Sequence, residues 1–237
     1  MKTLSVIIPA YNECDTIEEA VARVRRSPVV KEIIVVDDFS ADGTRELLQS
    51  ISDPSICAAE GQGEVPVRLV LHERNMGKGM AIRTALAHVT GDVVIIQDAD
   101  LEYDPDDYPA MIAPILSGEA DVVYGSRFLS SRPRMRPANY IANRVLALAA
   151  STLFGARITD EATCYKAFRA GVIQGIPLTC RRFEFCPEVT AKVLRRGIRI
   201  VEVPIRYEAR TAAEGKKIGW WDGVVALWTL LKYRVVW

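Results

Sequence analysis

Through the first half of the chain, short β-branched runs take turns with helix-patterned segments, and few architectures accept that order. Leu4–Ile8, Ile33–Asp37, Val67–Leu71, Val93–Gln97 and Val122–Tyr124 read as strands. Each is nearly continuously apolar rather than alternating, as a parallel sheet covered on both faces demands. Between them, Cys14–Arg26, Thr44–Ser50, Lys78–His88 and Asp107–Leu116 read as helices. Strands joined through helices build βαβ units, and such sheets bind ligands at the carboxyl ends of their strands. With 237 residues, 49% of them apolar, the chain can bury a full core as one α/β domain spanning residues 1–237.

The second half is less regular. Ser52–Pro66 reads as a loop. Asn139–Phe154 reads as a helix that Asn139 caps and Gly155 ends. Ile198–Tyr207 alternates as a strand, and Gly219–Trp237 is the last helix. Thirty basic residues balance thirty acidic ones, which argues against a nucleic-acid partner. Two histidines, His72 and His88, argue against a histidine metal site. The five cysteines (14, 57, 164, 180 and 186) form no CxxC pair, as expected of free thiols in a reducing cytosol. No signal-peptide pattern and no run of about 18 apolar residues is present, so neither secretion nor a spanning helix is expected.

The chemistry-bearing motifs fall just past strand ends. Asp98-Ala99-Asp100-Leu101-Glu102 follows Val93–Gln97, and two carboxylates one residue apart can reach a single hard cation such as Mg²⁺ or Mn²⁺. A strand end solvated by acids is the alternative, and Asp107 reads as a helix cap. Asp37-Asp38-Phe39-Ser40-Ala41-Asp42-Gly43-Thr44 offers a carboxylate to a base edge or a ribose hydroxyl, or simply an Asx-capped turn. Pro9-Ala10-Tyr11-Asn12-Glu13 places an aromatic ring where a nucleobase could stack, or makes a turn before a helix. Asn75-Met76-Gly77-Lys78-Gly79 lacks P-loop spacing and suits either phosphate contacts or close helix packing.

Taken together and in this order, Pro9–Glu13, Asp37-Asp38-x-Ser40, Asp98-x-Asp100, Gly125-Ser126-Arg127 and Thr159–Lys166 resemble the family-two glycosyltransferases of GT-A fold. Within them the resemblance is to the dolichyl- or polyprenyl-phosphate hexosyl synthases, and it covers Leu4 to about Tyr233. It implies that Pro9, Tyr11, Glu13, Val36 and Asp38 line a nucleoside pocket. Asp98, Ala99 and Asp100 would carry that donor site to the diphosphate, with Asp98, Asp100 and Glu102 around a metal. Relatives often have Gln at the position of Glu102. Arg127 would meet a phosphate of donor or acceptor. Arg210 with Lys216 and Lys217 resembles a late basic clamp, in which Lys217 or its neighbour touches phosphate. Asp160 matches a position of a base or orienting carboxylate, or caps Cys164–Phe168. Asp100, Arg127 and Asp160 would then be the catalytic set.

The implied reaction moves a hexose, with inversion, from a GDP-mannose- or UDP-glucose-type donor to a polyprenyl phosphate. An anionic acceptor needs little help from a general base, which accords with the scarcity of histidine. Arg127, Arg132, Arg134 and Arg136 lie in a loop with Pro133 and Pro137, and they either capture the lipid phosphate or are ordinary solvated arginines. The tail carries Trp220, Trp221, Trp228, Lys232, Arg234 and Trp237, the pattern of an interfacial helix or of one packed on the core. Many relatives continue into transmembrane helices, so this chain is expected to be peripheral on the cytoplasmic face of a membrane, or to depend on a membrane partner subunit. Rival readings are a transferase acting on a soluble glycan or protein, a sugar nucleotidylyltransferase, and a non-catalytic binding module.

Overall fold

A computed structural model describes residues 3–52, 65–130, 133–209 and 219–236. Seven strands form one sheet: β1 (Leu4–Ala10), β2 (Val30–Asp37), β3 (Val67–Leu71), β4 (Val93–Ile96), β5 (Val122–Ser126), β6 (Lys166–Arg169) and β7 (Ile200–Pro204). Their order is β3-β2-β1-β4-β6-β5-β7. β1 pairs in parallel with β2 and β4, β2 with β3, and β5 with β7, while β6 runs antiparallel between β4 and β5. The mostly parallel α/β sheet read from the sequence is therefore present. The first-half helices are α1 (Ile17–Arg26), α2 (Thr44–Ser52), α3 (Lys78–Leu86) and α4 (Tyr108–Ser117). After them come α5 (Pro137–Phe154), α6 (Ala170–Gln174), α7 (Phe185–Arg195) and α8 (Trp220–Val235).

Local chemistry explains the helices. Ile17, Ala20, Val21 and Val24 of α1 are buried, the i, i+3, i+4, i+7 stripe that seals one helix face to a sheet. α5 starts with Pro137 at its first position, not with a cap from Asn139; Arg136 takes the cap place without a side-chain bond. Gly155 ends it in the left-handed region at φ 66°, as expected. Asp107 stands before α4 but does not cap it: its carboxylate accepts from the Arg206 backbone N–H (2.8 Å) and side chain (3.0 Å). α8 opens with Asp222 accepting from the Gly219 N–H at 2.8 Å.

The second half departs from the sequence reading in several places. Cys164–Phe168 is no helix, so Asp160 caps nothing; residues 166–169 are the antiparallel strand β6. The last strand is shorter than the Ile198–Tyr207 read from alternation. α7 is buried on nearly every side, including Glu188 and Lys192, so it shows no clean amphipathic stripe. Residues 53–64 of the expected loop lie outside the described residues, as does Cys57; Cys14, Cys164, Cys180 and Cys186 are free thiols.

Candidate active site

Three loops leave the carboxyl ends of β1, β2 and β4, on either side of the point where the strand order reverses. Among the described residues the non-glycine positive-φ positions are Asn12 (50°), Phe39 (67°) and Leu101 (62°), one in each loop. Left-handed backbone at side-chain-bearing residues costs energy, and its concentration in three adjoining loops marks a site.

The first two loops are stitched together. Asn12 N–H donates to Ser40 Oγ (2.9 Å), Ala41 N–H to Asn12 Oδ1 (3.0 Å), and Glu13 N–H to Thr44 Oγ1 (2.9 Å). Asp42 makes the Asx turn, accepting from the Thr44 N–H (3.1 Å) and hydroxyl (2.6 Å). Asp37 is fully buried and paired with Arg45 at 2.7 Å. Pro9 and Val36 are register partners, and Tyr11 is exposed beside them. Asp38 turns toward its own chain: Oδ1 accepts from His72 Nδ1 (2.7 Å) and Met76 N–H (2.8 Å), and Oδ2 from Gly77 N–H (2.7 Å).

That contact carries the loop after β2 into the next motif. Gly77 lies at φ 90°, and a Cβ there would run into the carbonyl oxygen of Arg181. Gly79 N–H and Met80 N–H each donate at 3.0 Å to the Arg182 and Arg181 carbonyls. The glycines therefore serve close packing. Lys78 between them does something else: its ammonium donates to Asp98 Oδ1, with Cys164 Sγ at 3.8 Å. Burial opposes the charge of Lys78, but Asp98 outweighs it and holds the lysine well above its ordinary pKa.

At the end of β4, Gln97 is buried and organises the acidic turn. Its Oε1 accepts from the Tyr108 (2.7 Å) and Tyr165 (2.6 Å) hydroxyls, and its Nε2 donates to the Asp98 carbonyl (2.9 Å). Asp100 Oδ1 accepts from Glu102 N–H at 3.2 Å, and Glu102 Oε2 from the Tyr207 hydroxyl at 3.0 Å. Ala99 is buried between the two aspartates. Among the described residues no three His, Cys, Asp or Glu side chains converge as a metal cage. The donor chemistry still fits a hard cation: two carboxylates one residue apart, directly after an apolar strand. Mg²⁺ and Mn²⁺ are commonly held by one or two carboxylates plus substrate phosphates.

Arg127 and Asp160 meet as a buried fork. Asp160 accepts from Arg127 backbone N–H (3.0 Å), Nε (2.7 Å) and Nη2 (2.7 Å). Both are buried, and the guanidinium lies 4.9 Å from the Tyr207 ring centroid. Glu202 closes the loop from β7, accepting from the Thr159 and Asp160 N–H groups at 2.9 and 3.0 Å. Both carboxylate oxygens of Asp160 thus hold arginine. Of the arginines expected to meet the acceptor, Arg136 is exposed at the start of α5. Arg132, Arg210, Lys216 and Lys217 lie outside the described residues.

Helices α5 and α8 pack together and leave an apolar face uncovered. It includes Leu148 (64% exposed), Trp220 (80%), Trp221 (60%) and Trp228 (64%). Among the described residues no helix is long and apolar enough to cross a membrane. Gln97, His72, Tyr165 and the pairing of Lys78 with Asp98 were not singled out in the sequence. Only the polar Gln97 ending an otherwise apolar strand gave a signal.

The profile described as glycosyl transferase family 2 matches residues 5–176. A dolichol-phosphate mannosyltransferase of Pyrococcus furiosus is 29% identical over 225 residues, covering 91% of this chain and 59% of the relative. An undecaprenyl-phosphate 4-deoxy-4-formamido-L-arabinose transferase of Klebsiella pneumoniae is 30% identical over 221 residues, covering 91% and 63%. The chain thus spans about three-fifths of the length of these curated relatives. A glucosyl-3-phosphoglycerate synthase of Mycobacterium tuberculosis, solved with Mn²⁺ and UDP, superposes with TM-score 0.70 at 23% identity, covering 98% of this chain and 80% of that one. That likeness is one of fold, and the expected GT-A arrangement is borne out by it.

Proposed function

Because the chain belongs to glycosyl transferase family 2, we propose that it moves a hexose from a nucleotide sugar to a polyprenyl phosphate at a membrane surface. The observation that carries the reading is the meeting of three strained, motif-bearing loops at one end of the sheet, with Asp98 after β4 paired to Lys78 and Arg127 held in a buried fork by Asp160. Two relatives named for polyprenyl-type lipid phosphates support the acceptor class. In the reaction the bond from the anomeric carbon to the diphosphate breaks, and the nucleoside diphosphate leaves with the electron pair. An oxygen of the acceptor phosphate forms the new bond on the opposite face. That oxygen is already anionic, so no proton need be removed first.

The pocket of Pro9, Tyr11, Glu13, Val36 and Asp38 binds the nucleoside, and the Asp98–Asp100 turn faces the diphosphate. Asp98 and Asp100, with Glu102 beside them, would hold a divalent cation, which would supply Lewis-acid stabilisation of the departing charge. Arg127, fixed by Asp160, presents its remaining N–H donors to phosphate, while Arg210 and Lys217 complete the clamp. Arg132 and Arg136 receive the lipid phosphate. The uncovered tryptophans of α8 and the apolar side of α5 rest on the membrane, which makes the protein peripheral.

The test supplies Mg²⁺ or Mn²⁺, a short polyprenyl phosphate and a panel of radiolabelled sugar nucleotides, with Asp100→Asn in parallel. Label entering the organic phase from one donor, and lost in the variant, is the expected result. Label transferred only to water or to soluble phosphorylated acceptors would overturn the lipid acceptor. No turnover of any donor would overturn the enzyme itself.

A further inference from the structure

The reaction as proposed leaves one cation of the site without a task. Lys78 is the first residue of α3, and its ammonium donates to Asp98, the carboxylate read as a metal ligand. Its position is built from both sides. Gly77 N–H donates to Asp38 at 2.7 Å, and the Gly79 and Met80 N–H groups donate to the 181–182 backbone. Gly77 takes a left-handed φ of 90° where a side chain would collide with Arg181. The buried thiol of Cys164 lies 3.8 Å from the ammonium.

An ammonium and a divalent cation cannot both sit close to one carboxylate without strong repulsion, unless a further anion neutralises them. The donor's diphosphate is such an anion, and a lysine ammonium is a point-charge phosphate binder. We propose that Lys78 is the resident counter-ion of the candidate metal centre: it holds Asp98 until donor arrives, and passes to the diphosphate when the metal takes Asp98. Metal and nucleotide then bind as one event, and the empty enzyme does not hold a bare cation poised for water. This rests on reading Asp98 as a metal ligand.

The test measures Mn²⁺ binding by the EPR signal of the free ion, on the full chain, with and without GDP or UDP. In the parent protein a nucleoside diphosphate tightens Mn²⁺ by at least about tenfold, within the 5–150-fold span of ordinary coupling. Lys78→Met tightens Mn²⁺ in the absence of nucleotide and lowers the coupling to the part that direct phosphate ligation supplies. Lys78→Arg retains it, and Lys78→Gln, which still donates to Asp98 but carries no charge, behaves like Lys78→Met. Mn²⁺ affinity that ignores nucleotide in the parent overturns the proposal without reference to any variant. So does nucleotide-dependent Mn²⁺ binding that Lys78→Met and Lys78→Gln leave unchanged, and in that case the metal site itself stands. Absence of Mn²⁺ binding under every condition overturns the proposal together with the metal reading.

Discussion

Asp160→Ala separates two uses of one carboxylate. Asp160 accepts three hydrogen bonds from Arg127, at 3.0, 2.7 and 2.7 Å, and both groups are buried. Removing the acid strands a guanidinium away from water, and breaking a buried pair in this way costs about 3–5 kcal/mol. In a chain of this size each kcal/mol moves the melting temperature by about 2–4 °C, so a fall of about 6–20 °C is expected. Replacing both partners with apolar residues, Arg127→Met with Asp160→Leu, removes the stranded charge and recovers most of the loss. The assay is thermal unfolding followed by circular dichroism, with urea midpoints to close the double-mutant cycle. If Asp160 instead acts on substrate as a base, Asp160→Ala melts within about 2 °C of the parent while kcat collapses. That result would refute the assignment of Asp160 to holding Arg127.

Three further outcomes follow from the packing. Trp220, Trp221 and Trp228 replaced together by alanine abolish co-sedimentation with anionic vesicles and shift the melting temperature little, because all three rings are mostly exposed. Gly77→Ala destabilises by at least about 1–3 kcal/mol, since strained backbone and a collision with Arg181 add, and it displaces Lys78. Gly118→Ala, at φ 82° with nothing near its absent Cβ, costs less in the same unfolding assay. Glu188 gives the pH dependence. Burial opposes its charge, but bonds from Lys192 (2.5 Å) and from Thr179 outweigh burial and hold its pKa below the usual 4.5. A carboxylate with a lowered folded pKa stabilises fully above its unfolded value, and that contribution fades as pH falls below about 4.5. Glu188→Gln is therefore less stable than the parent near neutrality, and the gap between their melting temperatures narrows only in acid.

The sheet was legible because burial on both faces makes β4 and most of β1 and β2 apolar. Their loops were legible as acids and turn residues placed directly after such runs. What could not be read is who answers those acids. Asp38 carries no mark in the sequence that its partners are His72 and the backbone of Met76 and Gly77. Asp160 shows none that Arg127 consumes both its oxygens. These pairings span 33 to 39 residues and depend on how loops cross at the sheet end, which local periodicity does not encode. α7 escaped for a related reason: its buried face includes Glu188 and Lys192, which neutralise each other only once folded.

Segment 75–80 shows how far such pairings reach. The sequence left it between phosphate contact and helix packing, and the structure gives its residues separate duties. Gly77 and Gly79 pack against the 181–182 backbone, the Met76 and Gly77 amides hold Asp38, and Lys78 holds Asp98. The loop after β2 and the acidic turn are therefore two ends of one hydrogen-bonded strap, anchored on glycines that admit no side chain. On the proposed function, a nucleoside that shifts Asp38 would pull on the same turn that sets the Lys78 ammonium. A cation that displaces Lys78 from Asp98 pushes back on that turn. By linkage the two effects on affinity must be equal. Under the proposed function, discrimination among nucleotides would not arise only from contacts to the base, because a base that misplaces Asp38 would also leave Asp98 paired with lysine.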